Sequence, residues 1–408
     1  MQKTPKGLRL HIGIFGRRNV GKSSLLNALC RQAVSIVSDV AGTTTDAVEK
    51  PMELLPVGPV LFIDTAGVDD AGTLGDMRTA GTRKIFDRTD LAILVAVGSE
   101  WSEYEEEIIA EFKNRNIPVI VVFNKIDLEK PGSALVENLT GAGLQVVSTV
   151  ARNGEGLYDL REAIIKETPP EIINPATIIG DLIRPGDLVV LVVPIDKEAP
   201  KGRLILPQVQ TIRDILDNDA YSIVVKEQDL RDALDGLKSK PALVITDSQA
   251  FLKVAADTPE DILMTSFSIL FARYKGNLTE FVRGAVAIDA LKPGDKVLIA
   301  EACSHHPITD DIGTVKIPRW LNQYVGGGIH FDHCRGHDFP ENLPDYKLII
   351  HCGSCMFNRR EVLSRIMYAR KAGVPITNYG MTIAYSLGIF ERALSAFPMA
   401  QQLYRKIK

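Results

Sequence analysis

Three of the chain's five cysteines fall in two short stretches, Cys303-Ser304-His305 and His351-Cys352-Gly353-Ser354-Cys355. A Cys-x-x-Cys pair can place two thiolates on one metal centre, and a third thiolate from a distant loop completes a face. Lys347 to Ile350 supply a short apolar run, so the pair sits where a buried strand leaves its sheet. Two centres suit these donors. Cys303, Cys352, Cys355 and one histidine would satisfy tetrahedral zinc. The same three thiolates would hold a [4Fe-4S] cluster with its fourth iron left to a weaker ligand. His305, His351 and Asp338, the last in Gly336-His337-Asp338-Phe339, are the candidates for that fourth position or for hydrogen bonds behind the ligands. Cys334 with His330, His333 and His337 reads as a separate histidine-rich patch on a solvated loop.

A second chemistry lies near the amino end. The apolar strand Leu10 to Phe15 runs into Gly16-Arg17-Arg18-Asn19-Val20-Gly21-Lys22-Ser23, followed by the helical run Ser24 to Leu29. Strand, glycine loop and helix in that order make a P-loop. Its glycines let backbone N–H groups face phosphate at the positive end of a helix, over the set Gly16, Asn19, Val20, Gly21, Lys22, Ser23 and Ser24. Lys22 then reaches the β- and γ-phosphates, and the Ser23 hydroxyl ligates Mg2+. Asp64-Thr65-Ala66-Gly67 follows the apolar strand Val60 to Ile63, with Asp64 behind the magnesium and the Gly67 N–H at the γ-phosphate. Asn124-Lys125-Ile126-Asp127 follows the strand Pro118 to Phe123. A carboxylate at Asp127 accepts two hydrogen bonds that guanine offers and adenine does not, which selects GTP. Gly42-Thr43-Thr44-Thr45 reads as the switch segment, with Thr44 as the second magnesium hydroxyl and Thr43 or Thr45 as neighbours able to replace it.

Residues 9 to 167 resemble a TrmE/Era-type small GTPase on these motifs. Val150-Ala151-Arg152 stands where that class has Ser-Ala-Lys, so only the Ala151 backbone contact to the base carries over. Val68 follows Gly67 where Ras-type proteins place a glutamine, which implies slow turnover. Asn19 matches the asparagine that helps hold K+ in potassium-activated relatives, where the ion supplies transition-state charge.

The elements that must position these residues account for most of the 408-residue chain, long enough for two or three domains. The first reads as a doubly wound, mostly parallel α/β sheet over 1–168. Thr168-Pro169-Pro170 and Pro175 break the pattern. Alternating strands and short helices then build a small α/β unit over 177–263, with no ligand cluster of its own. A third α/β segment, 266–408, opens with the helix Phe267 to Tyr274 and carries the cysteine site.

Composition bounds the rest. The formal charge is -4, with 45% hydrophobic and 24% charged residues, which offers no basic footprint for nucleic acid. No apolar run approaches a membrane span. An odd number of cysteines and no apolar segment behind Lys3, Lys6 and Arg9 fit a reducing, cytoplasmic setting.

A GTPase domain, a middle α/β module containing Ala199-Pro200-Lys201-Gly202-Arg203-Leu204-Ile205-Leu206-Pro207-Gln208, and the carboxy-terminal cysteine site together resemble the HydF family of [FeFe]-hydrogenase maturation GTPases. The resemblance implies a [4Fe-4S] cluster on Cys303, Cys352 and Cys355 and a middle domain that forms a homodimer. It also implies a scaffold that takes a diiron H-cluster precursor as cargo from radical-SAM maturation partners and delivers it to apo-[FeFe]-hydrogenase. The rival expectation is a TrmE- or Era-like RNA-modification or ribosome-associated GTPase with a structural zinc site.

Overall fold

Strands that are buried on both faces need apolar residues throughout, and three strands of the first unit are buried at every position. The computed structural model describes residues 4–32, 48–65, 80–98, 100–173, 176–194, 204–302 and 311–408. They belong to two units, 1–175 and 176–408.

The first unit runs β1 (Leu10–Phe15), α1 (Lys22–Gln32), β2 (Val48–Leu54), β3 (Gly58–Asp64), α2 (Ala80–Arg88), β4 (Leu91–Ala96), α3 (Glu103–Asn114), β5 (Val119–Asn124), α4 (Ser133–Gly141), β6 (Gln145–Thr149), α5 (Leu157–Glu167) and the single turn α6 (Pro170–Ile173). Its sheet has the order β2-β3-β1-β4-β5-β6, parallel except for the β2–β3 pair. Helices cover both faces. Ile12, Leu26, Val122 and Leu160 pack in one layer, and Phe15, Phe86, Phe112 and Phe123 in the other. β2 escapes sequence reading because Val48–Leu54 carries three charges and Pro51. Proline is tolerated there because β2 is an edge strand.

The second unit runs β7 (Leu188–Val192), α7 (Leu206–Asp217), β8 (Tyr221–Val225), α8 (Leu230–Asp235), β9 (Leu243–Thr246), α9 (Phe251–Asp257), β10 (Leu263–Ser266), α10 (Phe267–Lys275), α11 (Leu278–Val286), β11 (Lys296–Glu301), α12 (Ile317–Val325), β12 (His330–Arg335), β13 (Leu348–His351), α13 (Arg359–Lys371), β14 (Ile376–Asn378), α14 (Tyr379–Ser386), α15 (Phe390–Ala393) and α16 (Pro398–Ile407). Two four-stranded parallel sheets result, ordered β10-β9-β7-β8 and β12-β11-β13-β14. One continuous apolar core, from Ile178 to Tyr404, joins them. The Ser266 hydroxyl accepts from Ile269 N, so β10 passes straight into α10 at a capped start.

The histidine-rich patch departs from expectation. His330, His333 and Cys334 lie in the edge strand β12, not in a solvated loop, paired in parallel register with β11. An edge strand can expose polar side chains and still satisfy one side of its backbone, which is why its composition imitates a loop. No helix among the described residues is long and apolar enough to cross a membrane.

Two sheets change direction where it matters. In the first, the chain leaves β1 toward β3 and later returns on the other side as β4. In the third, it leaves β11 toward β12 and returns as β13. Such reversals open a crevice at the carboxyl ends of the strands, the usual ligand position in open α/β sheets.

Candidate functional sites

At the first reversal, the loop between β1 and α1 curls through left-handed backbone at Gly16 (φ 135°), Asn19 (φ 66°) and Gly21 (φ 97°). A Cβ at Gly16 would come within 2.1 Å of the Val95 carbonyl oxygen, so no side chain fits there. Lys22 is buried and folds back over the loop, its Nζ donating to the carbonyl oxygens of Gly16 and Arg17. Ser23 Oγ donates to Asp64 Oδ2 at 2.7 Å, which ties the end of β3 to the start of α1. Val20 is buried, while Asn19, Ser23 and Ser24 face solvent.

The base-reading loop meets the same curl. Asn124 Nδ2 donates to the Val20 carbonyl at 2.9 Å, and Lys125 Nζ donates to the Asn19 carbonyl. Asn124 Oδ1 accepts from Thr149 Oγ1 and from Ala151 N, each at 3.1 Å. The Asp127 carboxylate is exposed. Asn19, Val20, Asn124, Lys125 and Ala151 therefore form one connected group. Thr44 and Gly67 lie outside the described residues.

Arg17 adds a strut that sequence reasoning missed. Its guanidinium donates to both Glu105 carboxylate oxygens, at 2.8 and 3.1 Å, and lies over the Tyr104 ring. The Glu105 hydrogen bond raises the Arg17 pKa above its ordinary value. Glu105 closes a capping box with Ser102 at the start of α3, and that Ser-x-x-Glu spacing was the available signal.

At the second reversal, Ala300 pairs with His351, so β11 and β13 end side by side. Cys352 N donates to the Ala300 carbonyl at 2.9 Å. Cys352 Sγ accepts from Ala302 N at 3.1 Å and from Ser354 N at 3.4 Å. Cys303 and His305 lie outside the described residues, but the residue preceding Cys303 already touches the Cys352 sulfur. The chain re-enters at Asp311, and the stretch after it closes on the same place. A Cβ on Gly313 would meet Tyr379 Oη and Glu301 Oε1, and those two atoms are themselves hydrogen-bonded at 3.1 Å.

His351 is wholly buried and spends both ring nitrogens on the protein. Arg365 Nη1 can only donate, so Nε2 accepts it at 3.0 Å and the proton resides on Nδ1, near Ser354 Oγ at 2.9 Å and the Cys352 carbonyl at 3.0 Å. Burial first, then the Arg365 charge, bring its pKa down to about 3. This is the geometry of a neutral prop under the sulfur loop. Asp338 is exposed, and its carbonyl accepts from Arg365 Nη2.

The props behind the loop carry no sequence signature. Arg365 is buried, lies over the rings of Phe339 and Phe357 at 4.9 and 4.6 Å, and donates to the Gly336 carbonyl at 2.6 Å. Glu361, also buried, accepts from His337 Nδ1 at 2.9 Å. Lys275, at the end of α10, is 2% exposed. Its Nζ donates to the carbonyls of Ser354 at 3.1 Å, Cys355 at 3.2 Å and Phe357. Burial lowers its pKa to about 8 against the upward pull of Cys355 and Cys352. Burial raises the Cys355 thiol, and Lys275 opposes it. Cys334 is different: burial carries its thiol up to about 11, a packed core thiol.

A sulfur that receives two backbone N–H groups, beside a buried ammonium, is an environment for anionic thiolate. Among the described residues the donor set reaches two cysteines, Cys352 and Cys355, whose surroundings fit thiolate ligands of an iron–sulfur cluster. Soft thiolates in such a pocket suit clustered iron.

The sheet order and the phosphate loop define a P-loop GTPase fold extended by two further α/β sheets. The family model for a 50S ribosome-binding GTPase matches residues 11–125, that for the hydrogen maturase F dimerization domain matches 178–276, and that for the hydrogen maturase F tetramerization domain matches 279–396. The chain belongs to the hydrogen maturase F (HydF) family. Curated relatives match over the GTPase part. The tRNA modification GTPase MnmE of Acaryochloris marina is 34% identical over 41% of this chain and 36% of its own length. GTPase Der of Wolinella succinogenes is 38% identical over 41% of this chain and 37% of its own. The chain thus spans about a third of the length of these relatives. Among solved structures, the G domain of the T. maritima FeoB iron transporter is 26% identical, with a TM-score of 0.31 over 40% of this chain and 99% of that one. The two hydrogen maturase F matches do not favour the rival expectation of an RNA-modification GTPase with a zinc site.

Proposed function

We propose that this chain is a GTP-hydrolysing hydrogenase maturase that holds a [4Fe-4S] cluster on Cys303, Cys352 and Cys355 and passes a diiron precursor to apo-[FeFe]-hydrogenase. The observation that carries it is the 3.1 Å hydrogen bond from Ala302 N to Cys352 Sγ at the reversal between β11 and β13. A cluster held by three thiolates leaves one iron open to an exogenous ligand, which is what a carrier needs. The hydrogen maturase F dimerization and tetramerization matches support assembly into dimers or larger oligomers, while the cargo and the radical-SAM partners are part of the proposal itself.

The GTPase part follows from the same logic. Lys22 turns from the Gly16 and Arg17 carbonyls to the β- and γ-phosphates. With nucleotide bound, Ser23 and Thr44 would hold Mg2+, and the Gly67 N–H would face the γ-phosphate. Asn124 and Lys125 hold the loop that presents Asp127 to guanine, with the Ala151 backbone behind the base. With Val68 in place of a water-orienting glutamine, turnover is slow, and a K+ ion held beside Asn19 would supply part of the missing charge stabilisation. The three parts are then a GTP-binding domain at 1–168, a dimerisation domain at 177–263 and a cluster domain at 266–408, working in the cytoplasm.

Anaerobic reconstitution is the test. The expected protein is brown, with about four irons and four sulfides per chain. Cys→Ser at 303, 352 or 355 removes the colour, and mixing loaded protein with apo-hydrogenase produces hydrogen evolution. A colourless protein with one tightly held zinc would reject the cluster. GTP turnover equal in K+ and Na+ would remove the role given to Asn19.

A further inference from the structure

Lys275 is out of place for a residue of its type. It ends the apolar helix α10, yet its ammonium is sealed in the core of the second unit at 2% exposure. Its three hydrogen-bond partners are the main-chain carbonyls of Ser354, Cys355 and Phe357. An ammonium has three N–H donors, so the geometry uses all of them. Among the described residues no carboxylate accepts from Lys275, so carbonyl dipoles face a buried charge. Burying such a charge is costly unless an anion compensates it. The anionic candidates are the sulfurs of Cys355 and Cys352, the two groups that act on it electrostatically.

We propose that Lys275 is a positioning residue of the sulfur site: it fixes the carbonyl side of the Cys352–Phe357 turn and supplies the resident positive charge that balances the cluster and its thiolates. The proposal rests on the [4Fe-4S] reading above and names what that reading leaves open, the group that sets the charge of the centre. A [4Fe-4S]2+ core with three thiolates carries a net charge of -1, and one added electron makes it -2, with no bond made or broken. A fixed cation attracts the reduced form more strongly, so Lys275 raises the reduction potential. Helix α10 thereby contributes to the site from outside the β11–β14 sheet.

The test uses the full chain, reconstituted anaerobically with iron and sulfide, in the natural form and as Lys275→Gln and Lys275→Met. Gln keeps N–H donors for the carbonyls and loses the charge, while Met loses both. Circular dichroism checks that each variant is folded. Iron and sulfide are counted, and the potential is read by an EPR-monitored titration in which dithionite supplies the electron. Both variants are expected to titrate at a clearly more negative potential than the natural protein. A folded Gln variant that binds no cluster supports the proposal in its stronger form, since the lost charge and the one lost N–H donor are what the site takes from Lys275. A Gln variant with full iron and an unshifted potential overturns the proposal and leaves Lys275 as a shaping residue. A natural protein that takes up no iron overturns the cluster reading itself and this proposal with it, an outcome visible before any variant is made.

Discussion

At the phosphate loop the decisive groups are main-chain atoms and side chains from the loop itself and the adjoining strand ends: Lys22 on Gly16 and Arg17, Asn124 on Val20, Thr149 and Ala151 on Asn124. At the sulfur loop the decisive groups are long charged side chains brought in from other helices, Lys275 from α10 and Arg365 from α13. Both loops sit at a reversal of strand order. The difference lies in redundancy. Asn124 Oδ1 has two donors, so losing one leaves it satisfied, whereas among the described residues His351 Nε2 takes its hydrogen bond from Arg365. A polar deletion should therefore cost little at the first site and much at the second.

Arg365→Met carries the largest expected effect. It removes the donor to His351 and to the Gly336 and Asp338 carbonyls and withdraws the cation near Glu361, 3.8 Å away. Breaking one side of a buried charged network costs about 3–5 kcal/mol. The loss should be read as faster hydrogen exchange in α13 and β13 and an earlier urea transition. A cost below about 1 kcal/mol would mean that the network rehydrates, and the contrast in redundancy would disappear.

That contrast also explains what could be read in advance. The phosphate loop is legible because its chemistry demands a fixed spacing within one strand-loop-helix unit, and Gly16 to Ser23 kept it. The Cys-x-x-Cys pair was legible for the same reason. Lys275 and Arg365 were not, because a lysine at a helix end beside Arg273, or an arginine on a helix with four other cations, looks solvated until the fold shows it buried. β12 was misjudged because an edge strand with charged and histidine residues has the composition of a loop. The strand runs at β1, β5 and β13 were legible because unbroken apolar runs suit strands covered on both faces.

Asp127→Asn probes the base-reading loop, where the redundancy argument does not apply because the partner is the ligand. One of two charge-assisted hydrogen bonds turns unfavourable, so GTP affinity should fall about 100-fold, roughly 2.7 kcal/mol. Xanthosine triphosphate, with an oxygen where guanine has its amino group, should gain affinity in the variant. Calorimetry with both nucleotides decides the point, and unchanged GTP binding would remove Asp127 from the base.

Glu49 brings the comparison inside the first unit. It bridges Lys6 and Arg88. Burial alone would raise its carboxyl, but Arg88 and Lys6 outweigh burial and hold it at about 2. A carboxylate depressed in the folded state adds stability above its unfolded pKa, near 4.3, and loses it as pH falls toward 2. Glu49→Gln should cost on the order of 2 kcal/mol at neutral pH, with Lys6 exposed and Arg88 left partly unpaired. The gap between natural protein and variant should narrow below about pH 4. Exchange rates of β2 and β3 peptides, compared as pH is lowered, report it. A gap that does not change with pH would assign the effect to packing.

Thr149→Val should be the mildest change and the sharpest check on redundancy. Thr149 is fully buried in β6 and gives Asn124 Oδ1 one of its two donors, while the Ala151 N–H remains in place. Valine fills the same space, so little cavity forms. The loss is one neutral hydrogen bond, about 1 kcal/mol, or a fall of about 2–4 °C in the melting temperature of a unit this size. Asn124 also keeps its donation to the Val20 carbonyl, which holds the base-reading loop to the phosphate loop. GTP affinity should therefore change less than about threefold. A loss comparable to that of Arg365→Met would show that Ala151 cannot hold Asn124 alone, and the phosphate loop would then depend on single side chains just as the sulfur loop does.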